Sequence, residues 1–152
     1  MTNNNAQTLG KRPIVESLDR AFARLHLELA ELIRKTPADL LYANTSSSST
    51  NSIASAVLRS AGIIEQTFGG ITANLWDDPF EWTLPEYLST AEKLLGYLSE
   101  VETTRGRAFL SFADDDCLLQ LIATPSGTRP LVDLLLETLT RAAAYHGVAS
   151  SH

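Results

Sequence analysis

Four stretches of this chain repeat apolar residues at steps of three and four, and none alternates them with period two for long enough to make a strand. Side chains at the first spacing share one face of an α-helix, whereas a strand needs every second residue on one face. Ile14, Leu18, Phe22, Leu25, Leu29 and Leu32 predict a helix over residues 13–36. Pro13 suits its first turn, and Pro37 disfavours helical backbone at Thr36. Residues 37–43 fit a short helical turn, and NTSSSSTN, residues 44–51, reads as a flexible polar connection. Ile53, Val57, Ala61, Ile64, Phe68 and Ile71 predict a second helix over 52–74. Gly69 and Gly70 weaken its last turns by about 1 kcal/mol each relative to alanine.

The third stripe is Leu94, Leu98, Val101, Arg105, Ala108 and Phe112. It opens with a capping box in which Ser89 bonds the amide of Glu92 and Glu92 reaches back. Residues 113–123 predict a short helix with Asp114, Asp115 and Asp116 at its positive end, and Pro125, Ser126 and Gly127 a turn. The fourth stripe is Leu131, Leu134, Leu135, Thr138, Ala142 and Tyr145, on a helix starting near residue 128, with Pro130 in its first turn and Gly147 at its end. LWDDPFEWTLPE, residues 75–86, has neither period and two prolines. Its Trp76, Phe80 and Trp82 are too apolar for a solvated linker, so the segment is expected to be a crossover pinned to the helices. These elements predict an all-α four-helix bundle, one domain over 13–150 behind a disordered tail at 1–12.

Arg59, Arg105 and Arg141 fall on or beside those stripes. A guanidinium stays charged, so a buried one needs a carboxylate, an anionic ligand or water. The centre is therefore expected to be polar. Internal pairing with Glu65, Glu100, Glu102 or Asp133 is the plainer reading, because buried charges are normally paired within the protein; an anion-binding centre is the sharper one.

The 152 residues suffice for one core, and 44% apolar with 20% charged residues is the balance of a soluble globular protein. A formal charge of -6 without a basic run argues against nucleic acid as principal partner. No apolar run approaches the length of a membrane span, and MTNNNAQTLGKR lacks the apolar middle of a secretory signal. The single cysteine, Cys117, fits a reducing compartment, so a cytoplasmic protein is expected. Cys117 has no adjacent histidine to activate it and reads as a buried, inert thiol. Asp114, Asp115 and Asp116 lack the ligand spacing of a calcium loop, and Asp77, Asp78 and Glu81 read as a solvated loop flanking aromatic anchors. His26 lies between Leu25 and Leu27, no Glu-x-x-His pair occurs, and no phosphate loop, G-x-S-x-G or H-E-x-x-H is present.

At SIASAVLRSAG, residues 52–62, and TRAAAYHG, residues 140–147, the chain resembles the DinB-like superfamily of bacterial four-helix proteins; LWDDPFEWTLPE resembles the crossover of one branch. The likeness covers the second helix through the last. It implies an up-down-down-up bundle, often dimeric, with a pocket where typical members hold a divalent metal on three histidines. One comes from an S-I-x-x-x-x-x-H pattern and two from H-x-x-x-H-x-G. Those positions fall here on Arg59, Arg141 and Tyr145, none of them a histidine. Arginine has no usable lone pair, neutral tyrosine is a poor ligand for zinc or nickel, and His146 alone does not make a site.

The expectation is thus a branch without the metal site and without a cofactor, with catalysis left open but the balance toward a non-enzyme. A small anionic molecule would be held among Arg59, Arg105, Arg141, Tyr145, Glu65, Glu102 and His146. The resemblance also leaves two alternatives. One is a metal- and thiol-dependent transferase or isomerase that draws ligands from His146, Glu65 and Glu102; the other is a non-catalytic dimerisation module. Leu27, opposite the first seam, and Leu136, beside Leu135, are apolar surplus that suits the symmetric interface of a homodimer.

Overall fold

Leu18, Phe22, Leu25, Leu29 and Leu32 are buried along one face of α1 (Pro13–Lys35) in a computed structural model that describes residues 10–43, 52–77 and 89–151. Ile14 is off that face: it is 54% exposed, and Val15 is buried in its stead. The period alone admits either residue, since they lie one step of about 100° apart. Asp115 fixes this first turn by accepting the amides of Ile14 and Val15, with Val15 on the inward side. Thr36 ends α1 in extended backbone ahead of Pro37, and α2 (Ala38–Leu41) is a single turn that buries Leu41.

The second stripe forms α3 (Ile53–Ala73). Ser52 caps it, its Oγ accepting the Ser55 amide at 3.0 Å. Asn74 closes it in the left-handed region (φ 56°), and the amides of Asn74 and Leu75 satisfy the carbonyls of Gly70 and Gly69. This helix is buried on nearly every side, and Ala54, Ala56, Ser60, Ala61 and Gly62 keep its surface small. Its backbone comes close enough to the last helix for Ser60 Oγ–H to donate to the Ala142 carbonyl at 2.7 Å.

The cap of α4 (Ala91–Ser111) lies one residue beyond the expected one: Thr90 Oγ1, not Ser89, accepts the amide of the residue three ahead, Lys93, at 3.1 Å. Both hydroxyls are N-cap types, and the sequence alone does not rank adjacent candidates. All six residues of the third stripe are buried, joined by Tyr97 and Phe109.

The chain then departs from expectation. The helix predicted over 113–123 is a 3-10 helix (Asp115–Leu119), followed by a hairpin of β1 (Leu121–Thr124) and β2 (Gly127–Pro130), antiparallel with Leu121 opposite Pro130. Four-residue strands are too short to display a period-two pattern, and the turn at Pro125–Ser126, closed by Gly127 at φ +124°, brings the flanks into register. Consequently α5 (Leu131–Ser150) starts later than predicted, with Pro130 as its N-cap rather than inside its first turn. It runs through Gly147 to Ser150, so that glycine is an exposed helical residue and not a terminator.

Hydrogen bonds fix how the long helices are paired. Arg12, at the head of α1, donates to the carbonyls of Phe109 and Phe112 at the tail of α4 (2.8 and 2.9 Å), so α1 and α4 are antiparallel. Contacts Ser60–Ala142 and Thr67–Thr138 make α3 and α5 antiparallel. The heads of α1 and α5 are both fastened to the 3-10 segment, through Asp115 and the Gln120 carbonyl. Between the helices lies an aromatic core: Phe22, Phe68 and Phe109 have ring centroids 5.5–5.8 Å apart, with Phe112 5.2 Å from Phe109.

The expected tail at 1–12 is corrected at its end. The Lys11 carbonyl accepts the Asp115 amide at 2.9 Å, and Arg12 donates to the Phe109 and Phe112 carbonyls at the end of α4. Residues 1–9, the polar connection 44–51, and Asp78, Phe80, Glu81 and Trp82 lie outside the described residues. Among those described, no helix is long and apolar enough to cross a membrane.

Candidate functional site

Of the three arginines, Arg105 is the buried one, 3% exposed. Its Nε and Nη2 donate to the two carboxylate oxygens of Glu102 (3.0 and 2.5 Å), and Nη1 donates to Asp19 at 2.5 Å. The guanidinium also lies over the rings of Phe22 and Phe109, at 5.8 and 5.1 Å. Burial works against its charge, but the bonds to Glu102 and Asp19 outweigh it and strengthen its hold on the proton. Two carboxylates more than neutralise one guanidinium, so this cluster attracts no further anion. Arg105 and Glu102, expected among ligand-binding residues, are thus an internal ion pair. Asp19 was not among the candidate partners; it shares a face of α1 with Phe22 and His26, a spacing that could have flagged it. His26 is half-buried, and burial pushes its pKa down; Glu102 opposes that shift while Arg105 and Arg34 add to it.

Glu65 is engaged by Tyr97, whose hydroxyl donates to its carboxylate. Burial pushes the Glu65 pKa up, the Tyr97 bond pulls it down, and Glu100 raises it further. His146 Nδ1 lies 3.8 Å from a Glu28 oxygen, and Tyr145 is half-buried one turn beyond Arg141. Arg59 is half-buried on α3, whereas Arg141 is exposed and has no ion pair among the described residues. The two therefore do not meet at a shared buried carboxylate. The α3–α5 seam is occupied by Ser60, Ala61 and Ala142, and Arg141, one position from Ala142, is turned outward by the helical step.

Arg141 instead lines a groove of about 170 Å³ between α3 and α5, closed by the hairpin turn and by Trp76. Its floor is a pair of buried hydroxyls, Thr67 and Thr138, with oxygens 2.6 Å apart. The Thr138 hydroxyl donates to the Leu134 carbonyl at 2.7 Å, which uses its one hydrogen; Thr67 is therefore the donor within the pair. Gln66 Nε2 donates to the Trp76 carbonyl at 2.7 Å, and the Trp76 indole N–H donates to Asn74. Gly70 makes room for that indole: a Cβ there would lie 2.3 Å from the ring. On the rim, Arg129 and Glu137 neutralise each other at 2.5 Å, so the net charge facing the groove is that of Arg141.

The sequence does not single out Gln66 or Thr67 as a site, and Trp76 admits a hydrophobic ligand site or a subunit interface but reads as an anchor of the crossover. A threonine on an apolar helix face is a weak signal, and only the packing of α3 against α5 sets it opposite Thr138. A larger recess of about 400 Å³ at the far end, lined by Leu32, Pro37, Leu40, Ile53 and Ala149, is apolar.

The three positions where the resemblance implies metal ligands hold Arg59, Arg141 and Tyr145, which do not fit a divalent ion. Among the described residues, no group of three His, Cys, Asp or Glu side chains is gathered to hold one elsewhere. Cys117 is half-buried rather than buried, its amide donating to Asp114 Oδ1 at 3.1 Å. The aspartates do lie at positive helix ends: Asp114 caps the 3-10 helix, and Asp115 caps α1 from a hundred residues away. Comparison with family models, with curated proteins and with solved structures returned no match.

Proposed function

We propose that this chain is a DinB-like helical protein that binds a small anionic molecule, without a metal, in the groove between α3 and α5, with Arg141 as the anchoring cation. The observation that carries the reading is the state of Arg141: among the described residues it is the charge lining the groove that has no ion-pair partner. Helix directions support the DinB-like part. α1 antiparallel to α4, α3 antiparallel to α5, and the heads of α1 and α5 at one end support an up-down-down-up order. The tail of α3 and the head of α4 then lie at opposite ends of the helices, about 31 Å apart along the axis at 1.5 Å per residue. Arg59 lies two turns from Gln66 on one face of α3, and Tyr145 one turn beyond Arg141, so the implied ligand positions continue the line of the groove. The sole cysteine favours a reducing, cytoplasmic setting.

The test is thermal unfolding with acetate or phosphate at constant ionic strength. A saturable rise is expected, worth about 1.4 kcal/mol at ten times Kd, and Arg141→Met should remove it. An equal rise in Arg141→Met, or none in the parent, overturns the reading. A homodimer remains the proposed assembly, because Leu27 on α1 and Leu136 on α5 are both exposed. A monomeric mass by light scattering across the micromolar range would refute it.

A further inference from the structure

We infer that the groove selects a short hydroxycarboxylate, with the carboxylate on Arg141 and the hydroxyl donating to Thr67. This inference rests on the anion-binding role proposed above. The hydrogens decide it. Thr138 spends its hydrogen on the Leu134 carbonyl, and Thr67 spends its own on Thr138. What Thr67 presents to a ligand is therefore acceptor lone pairs on Oγ1; the Gln66 amide beside it gives one of its two hydrogens to the Trp76 carbonyl. Thr67 is 6% exposed and Thr138 is 3% exposed, so bulk water does little to satisfy those lone pairs. A simple carboxylate meets Arg141 and leaves the lone pairs of Thr67 unmatched. A phosphate offers mainly acceptor oxygens, which oppose the lone pairs of Thr67. A molecule with both an anionic end and a hydroxyl donor satisfies both walls.

Geometry and volume narrow the class. Thr138 and Arg141 are three residues apart on α5, which puts their Cβ atoms about 5–6 Å apart on one face. Thr67 Oγ1 is 2.6 Å from Thr138 Oγ1, so the acceptor and the cation line the same groove one helical turn apart. A volume of about 170 Å³ admits a short chain, and a two- or three-carbon 2-hydroxy acid is the smallest molecule with both groups.

The test is calorimetric titration of the full chain with lactate, propionate and inorganic phosphate at neutral pH and constant ionic strength. Lactate is expected to bind about 3–10-fold more tightly than propionate, the range of one neutral hydrogen bond. Thr67→Val should reduce lactate to the level of propionate while leaving propionate unchanged, and Thr67→Ser should keep the preference. Thr138 retains its bond to Leu134 in both variants, so neither strands a buried donor. Arg141→Met should abolish binding of both acids. Equal binding of lactate and propionate, or tighter binding of phosphate, overturns the hydroxyl assignment while the anion site stands. If none of the three binds, the anion reading falls and the hydroxyl assignment falls with it.

Discussion

Replacing Arg105 with methionine isolates the charge of the buried cluster, because methionine keeps an unbranched stem to pack against Phe22 and Phe109. Three charge-assisted bonds are lost, two to Glu102 and one to Asp19. If both carboxylates were fully buried, stranding them would cost about 3–5 kcal/mol. They are not: the Asp19 side chain is 45% exposed and that of Glu102 24%, so water recovers most of the first and part of the second. The expected loss for Arg105→Met is about 2 kcal/mol, concentrated in the bidentate Glu102 contact. Arg105→Ala removes the stem as well and should lose about 3–4 kcal/mol, since the stem packs between aromatic rings. For a chain of 152 residues these losses correspond to falls in Tm of about 7 and 12 °C. Urea unfolding followed by circular dichroism measures both. A double-mutant cycle of Arg105→Met with Glu102→Gln should return a coupling of about 1–2 kcal/mol. An Arg105→Met protein as stable as the parent, or a coupling near zero, would show that the cluster fills space without holding the helices together.

Asp115→Ala removes the acceptor for the Ile14 and Val15 amides and should cost about 1 kcal/mol, with faster hydrogen exchange confined to the first turn of α1; unchanged exchange there would refute the cap. Gly70→Ala would ordinarily strengthen a helix by up to about 1 kcal/mol, but its Cβ would lie 2.3 Å from the Trp76 ring. A net loss and a red-shifted Trp76 emission, read in a Trp82→Phe background, are expected, and a stabilised protein with unchanged emission would count against the packing. Because burial raises the Glu65 pKa, its neutral form is favoured in the fold; the penalty begins as pH rises above the unfolded value of 4.5 and is complete above the folded one. Glu65→Gln, which keeps an oxygen for the Tyr97 hydroxyl, should therefore be more stable than the parent at pH 7 and no more stable at pH 4. The same difference at both pH values would contradict that cause.

Features that rest on contacts within a turn or two of helix were legible in the amino-acid order. The period of Leu18, Phe22, Leu25 and Leu29 marks the buried face of α1, Pro37 ends that helix, and Ser52 caps α3. Glu102, three residues before Arg105, was legible as a partner for the same reason. Asp19, 86 residues from Arg105, was not, and neither was Asp115 as the cap of a helix a hundred residues earlier. The hairpin was hidden because four-residue strands carry no measurable period, and Gly70 read as a weak point until Trp76 was found lying on it.

The candidate site shows the division most sharply. Sequence alone put Arg105 on an apolar stripe and Arg59 and Arg141 on or beside one, and a position beside a stripe is one that a helical step of about 100° can turn either way. Tertiary packing chose for each. The small residues of α3 draw α5 in at Ser60 and Ala142, which turns Arg141 out toward the groove, while the approach of α1 to α4 closes Asp19 and two phenylalanines around Arg105. A residue's periodicity belongs to its own helix; whether its charge meets a carboxylate or an open groove belongs to the neighbouring helix, because electrostatic partners are set by distance in space and not along the chain.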